Sequence, residues 1–213
     1  QILELIRNGI GETLCMVVNS TVISYMIGIP LGIILVVTDK EGIRPIPALQ
    51  KVLGLIINLL RSVPFLILLI MMIPVTRKLV GTSLGWRAVV PPLVASAAPY
   101  IARMVESSFK EIDAGVIEAA KSMGASTSQI IWKVLLPESK PSLLIGAAIS
   151  TTTILGYSAM AGAVGGGGLG GIAINYGYYK YNYAVMLIAV VFIVVLVQIF
   201  QSLGTSLATR TDH

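Results

Sequence analysis

The stretch YAVMLIAVVFIVVLVQIFQSL, Tyr183 to Leu203, runs for 21 residues without a charged side chain. At ~1.5 Å per residue, a helix of that length crosses the ~30 Å hydrocarbon core of a bilayer. Tyr178, Tyr179, Tyr181 and Tyr183 stand at its start, where an aromatic belt meets the membrane interface. This segment reads as a transmembrane helix, and it sets the frame for the rest of the chain.

Four more apolar blocks lie upstream. Thr13 to Val37 carries only small polar groups, among them Asn19, Ser20, Thr21 and Ser24, each able to bond inside a bundle. Leu49 to Val75 is interrupted by Arg61-Ser62-Val63-Pro64. Ala88 to Val105 has the weakest pattern, because Pro91, Pro92 and Pro99 fall within it; neighbouring helices can satisfy the carbonyls that proline frees. Ser142 to Met160 is rich in small residues, which let membrane helices approach closely. Ile2, Leu5, Ile6 and Ile10 recur at helical spacing and predict a short interfacial helix before the first span rather than a sixth span. The expectation is an all-α membrane protein, five spans in a single domain over residues 1–213.

Composition agrees with that reading. Of 213 residues, 55% are hydrophobic and 12% charged, against about 25% charged in soluble domains. Mean hydropathy is +0.88. The net charge of +5 is scattered between apolar blocks, as at membrane borders, and forms no basic patch for nucleic acid. One cysteine, Cys15, and one histidine, His213, supply neither an internal disulfide nor a His/Cys metal cluster. Glu12, Glu106 and Glu118 fall in different blocks, with no partner base, and form no catalytic pair. The glycine run Gly162 to Gly171 lacks the G-K-[ST] ending of a phosphate loop and reads as a tight re-entrant or linking turn. The chain opens at Gln1, so native residues are expected to precede it, and no stretch reads as a cleaved signal peptide.

Segments after the first, third and fifth spans hold nine basic residues, and the other side holds five. The positive-inside rule places the N-terminus outside and the C-terminus inside, with Ser107 to Pro141 cytoplasmic. That segment predicts a helical hairpin over about 111–138. Asp113 caps its first helix and Gly124 stops it in the left-handed conformation. The second helix starts on the capping box Ser126 to Gln129 and ends at Pro137. Val116, Ile117, Ala120 and Met123 form one apolar face, and Ile130, Ile131, Val134 and Leu135 another. Periodicity leaves two readings open: a hairpin that docks on a partner, or helices lying flat on the inner leaflet.

The hairpin reads Glu118-Ala119-Ala120, three residues, Gly124, nine residues, then Val134-Leu135-Leu136-Pro137. It resembles the EAA loop of permease subunits in bacterial ABC importers, E-A-A-x3-G-x9-I-x-L-P, with Val134 for isoleucine the sole departure. Arg61 to Phe65, Ala98 to Glu106, Gly156 to Met160 and Gly162 to Gly170 are similar to the methionine-import branch of that family, so the likeness covers nearly the whole chain. The resemblance implies the type I importer permease fold in the bacterial cytoplasmic membrane and a homodimer of ten spans. It implies two separate ATPase subunits that bind ATP and Mg, an extracytoplasmic substrate-binding lipoprotein, and D- and L-methionine as cargo. This chain would then be no enzyme and hold no cofactor. Glu118, Ala119, Ala120, Gly124, Val134, Leu136 and Pro137 would couple to the ATPase. Other amino acids or small solutes are the alternative cargo. An ATP-independent secondary transporter is the alternative class, and it would carry an internal repeat and intramembrane carboxylates. No repeat is visible, and Glu106 is the one carboxylate candidate.

Arg61 lies about 16 Å into its span, a depth at which a charge faces a bundle interior or snorkels to the surface. Facing the interior, it is expected to pair with Glu106. Thr153, Tyr157 and Met160 fall at i, i+4 and i+7 on one helical face. That face either lines a translocation path gated by Met160 or packs on the fifth span.

Overall fold

The computed structural model describes residues 2–210; Gln1 and residues 211–213, His213 among them, lie outside the described residues. Eleven α-helical segments follow one another: α1 (Ile2–Val37), α2 (Pro47–Ser62), α3 (Phe65–Met71), α4 (Ile73–Val80), α5 (Trp86–Lys110), α6 (Ala114–Ser122), α7 (Thr127–Ile130), α8 (Leu136–Glu138), α9 (Lys140–Ala161), α10 (Gly168–Ile172) and α11 (Tyr183–Thr209). Wider π turns at Ile131–Leu135 and Ala173–Tyr178 continue α7 and α10. Among the described residues four segments are long and apolar enough to cross a membrane, and a fifth is made by α2 and α3 taken together, bent by 99° at the break.

The separate interfacial helix expected over the first residues is not formed. α1 is one helix of 36 residues from Ile2. Ile6 is buried with Leu169, Ile172, Val185 and Ala189, so the spacing read as a membrane-surface face is a seam to α10 and α11. The proline-rich block is not the weak span its sequence suggests. α5 runs unbroken through Pro91, Pro92 and Pro99 and buries the largest share of any crossing helix. α1 and α5 form the most extensive helix pair. Gly28 and Gly32, one turn apart on α1, make this possible. A Cβ on Gly28 would lie 2.6 Å from Ile101 Cγ2, and one on Gly32 would lie 2.6 Å from Val105 Cβ and 2.7 Å from the Ala102 carbonyl.

A second narrow contact holds α9. Gly146 sits against Met104 of α5, and two residues on Ala148 sits against Gly204 of α11. Past its C-terminal end, Gly162 meets the backbone at Gly170 and Gly171, so the glycine run does pack as a tight linking turn. The turn is tied to α1: Glu12 accepts from the Gly168 amide at 2.7 Å and Thr13 from the Leu169 amide at 2.9 Å. Much of the surface of α11 stays uncovered, including Val190, Val191, Val194 and Val195, as a lipid-facing helix requires.

Candidate functional site

The hairpin of 113–138 is built by local chemistry. Asp113 accepts from the Gly115 amide at 2.6 Å and starts α6. At the far end the Ala125 amide reaches the Ala120 carbonyl at 3.1 Å and the Gly124 amide reaches that of Lys121 at 2.9 Å, a Schellman stop. Gly124 has φ +78, the left-handed value that this stop needs. Ser126 and Gln129 then close both bonds of the capping box, at 3.3 and 2.8 Å. The second helix does not end at Pro137. It passes through the π turn, where the Leu136 amide reaches back to Ile131, and continues to Glu138. The wider turn makes room for a proline ring that would otherwise meet the carbonyl one α-helical turn back.

The two expected apolar faces have different fates. Ile130 and Leu135 are fully buried, with Ile131, Val134 and Leu136 packed beside them. Ala120 is buried and Ile117 joins the same core. Val116 at 42% and Met123 at 82% are exposed instead. The exposed surface is made of Glu118, Ala119, Met123, Gly124 and Pro137, together with Trp132 at 68% exposure. Trp132 lies off the apolar stripe, so periodicity does not single it out; a tryptophan on the polar side of a short helix is the signal the sequence offers.

Where the hairpin joins the bundle, charges are grouped. Buried Glu106 accepts from Arg103 at 2.6 Å and from Lys110 at 2.9 Å, and Lys110 also reaches Asp39 at 2.8 Å. Arg103 donates further to the Gly54 carbonyl and to Asn58, each at 3.0 Å. The expected Arg61–Glu106 pair is therefore corrected: Glu106 is held by two bases on its own helix, at i−3 and i+4, a spacing that was legible in the sequence. Asp39, just past α1, has its carboxyl pushed below the usual aspartate range, first by the Lys110 hydrogen bond and also by the Lys40 amide.

Arg61 lies elsewhere, at the break between α2 and α3, where it lines a cavity of about 190 Å³. Thr153 and Tyr157 line the same cavity, with Ser96, Tyr100 and Ser150. Tyr157 stacks on Phe65, ring centroids 4.7 Å apart and planes within 5°. Tyr25 and Ser150 share a hydrogen bond of 2.7 Å behind the cavity wall. Met160, one turn beyond Tyr157, is half-exposed. Three of the residues singled out in the sequence thus converge, Met160 flanks them and Glu106 is outside the lining.

Among the described residues no group of acidic, histidine or cysteine side chains could hold a metal ion. Crossing helices around a charged, hydroxyl-lined cavity, with a capped hairpin beside them, define a membrane component of a solute transport system. The chain belongs to the family described as binding-protein-dependent transport system inner membrane component, whose profile matches residues 28–213. It is a multi-pass inner-membrane protein. The chain is 47% identical, over 99% of its length and 93% of the relative's, to a probable D-methionine transport system permease protein of Vibrio cholerae. It is 45% identical to the methionine import system permease protein of Bacillus subtilis, over 84% of this chain and 81% of that one. A chain of the methionine ABC transporter MetNI, solved in inward-facing conformations, superimposes with a TM-score of 0.96 at 46% identity, covering 99% of this chain and 97% of that one.

Proposed function

We propose that this chain is the permease subunit of an ATP-driven methionine importer, carrying the D- and L-enantiomers. ATP and its Mg ion belong to a separate pair of ATPase subunits, and an extracytoplasmic lipoprotein delivers the cargo. Two copies of the chain line one path. The N-terminus lies outside and the C-terminus inside, which puts the hairpin in the cytoplasm.

The observation that carries the reading is the exposed hairpin surface. Ala119, Met123 and Gly124 are exposed on the first arm of the hairpin with Glu118, and Trp132 is exposed on the second. Small residues and large apolar ones exposed outside the spans suit insertion into a groove on another protein. Val134, Leu136 and buried Leu135 anchor that surface to the bundle core, and Pro137 carries it toward α9. Closure of the ATPase pair pulls on the hairpin and turns the bundles between inward- and outward-open states. Thr153, Tyr157 and Arg61 line the path and Met160 gates it.

Ala119→Arg tests this. Arginine is nearly as good a helix former as alanine, and the position is exposed, so the fold tolerates it. The variant inserts normally but loses ATP-driven uptake of labelled methionine when reconstituted with the ATPase and binding protein. Uptake at the parental rate would refute the docking role.

A further inference from the structure

We propose that the cavity at the break of the second span is a transient subsite for the carboxylate of a zwitterionic amino acid, with Arg61 as its recognition residue. The inference rests on the reading of the chain as an amino-acid import permease and adds how the path itself holds the cargo.

Arg61, which is exposed, and Arg103, which is partly buried, differ in their partners. Arg103 is committed to Glu106, Gly54 and Asn58. Among the described residues, the Arg61 guanidinium makes no hydrogen bond or ion pair, and no acidic residue lines its cavity. An exposed guanidinium on a cavity wall with no carboxylate beside it is open to an anion that enters the cavity. Its planar fork of donors matches a carboxylate in two parallel hydrogen bonds.

The remaining wall suits the rest of an α-amino acid. Thr153 has its hydroxyl proton committed to the Ile149 carbonyl at 2.9 Å, which leaves its lone pairs for an ammonium group. Tyr100 and the stacked Tyr157 give aromatic surface that a cation also favours. Val63 and Ile154 complete an apolar side for the cargo's side chain. The space of about 190 Å³ is small for a ligand site, as fits a stop where cargo is held weakly and released.

The test reads the cavity directly. Ser96 lines it, so Ser96→Cys is introduced with exposed Cys15 replaced by serine, and the protein is assembled with its ATPase in nanodiscs. A small methanethiosulfonate reagent labels the cysteine, and protection by methionine is compared with that by methionine amide, which lacks the carboxylate. Methionine slows labelling and the amide does not. Arg61→Gln raises the methionine concentration for half-protection by about tenfold or more, the worth of a charge-assisted hydrogen bond, while Arg61→Lys retains part of it. Equal protection by the amide, unchanged protection in Arg61→Gln, or no protection at all overturns the subsite. If Arg61→Gln fails to assemble, the comparison of methionine with its amide in the Arg61 protein still decides. Uptake is measured in the same preparation: uptake without protection refutes the subsite alone, whereas absence of methionine uptake refutes the importer reading.

Discussion

Replacing Glu106 by alanine removes the single carboxylate that holds two bases at the base of the hairpin. Its side chain is only 7% exposed and that of Arg103 22%, so the 2.6 Å bond between them is largely dry. Removing one member of such a pair costs about 3–5 kcal/mol, because the other is left buried and uncompensated. The lower end applies, since Arg103 keeps the Gly54 carbonyl and Asn58. The 2.9 Å bond to Lys110 adds little: that side chain is 50% exposed and keeps Asp39. Exposed pairs are worth under ~1 kcal/mol. A loss of about 3 kcal/mol lowers the melting midpoint of a chain this size by roughly 6–12 °C. The assay is loss of the monodisperse peak on heating in detergent, followed by tryptophan fluorescence. Double-mutant cycles should give a large coupling for Glu106 with Arg103 and a small one with Lys110. A Glu106→Ala midpoint within ~2 °C of the parent, or equal couplings to both bases, would refute the reasoning.

Gly32→Val pushes α1 off Val105 and the Ala102 carbonyl and costs about 1–3 kcal/mol as overpacking, whereas Gly11→Ala, with open space around it, is neutral or stabilising; heat-induced aggregation distinguishes the two. Asp39 titrates below the usual range in the fold, so its contribution is complete above pH ~4 and is lost as pH falls through the lowered value. Asp39→Asn therefore flattens the acid side of a melting-point profile between about pH 2 and 5, by a small amount because its partner Lys110 is half-exposed and screened by solvent; an unchanged acid slope would remove the Lys110 bond as its cause. Met160→Cys, with Cys15 replaced, is expected to form a disulfide across the dimer in the inward-open state, which demands Cα atoms within ~7 Å. Failure to cross-link in that state leaves Met160 outside the gate.

Local signals carried over most faithfully from sequence to structure. The Asp113 cap, the Gly124 stop and the Ser126 box each depend on residues within four positions, and each formed as read. What the chain could not announce was azimuth. The expected pairing of Arg61 with Glu106 fails because two bases on the same helix, about one turn to either side, already hold that carboxylate. Ile6 looked like an interfacial residue because period alone does not say whether lipid or α10 lies opposite. The prolines of α5 were read as breakers, yet a helix packed on three sides keeps its path through them. Thr153 and Tyr157 share a helical face as their spacing implies, but that this face meets Arg61 across one cavity depends on tertiary packing that spacing does not carry.

The small-residue waist of α9 has a mechanical meaning. Gly146 and Ala148 pin that helix between α5 and α11 about a third of the way along its 22 residues. Below the pin roughly 10 Å of helix leads to Lys140 and, across Ser139, to the hairpin; above it roughly 20 Å leads to Met160. A rod held so is a lever with a short driven arm and a long free one. A tilt that shifts the hairpin end of the helix by a given distance swings the Met160 end about twice as far in the opposite direction. The glycines from Gly162 onward, pressed backbone to backbone, then form the joint that the tip must flex.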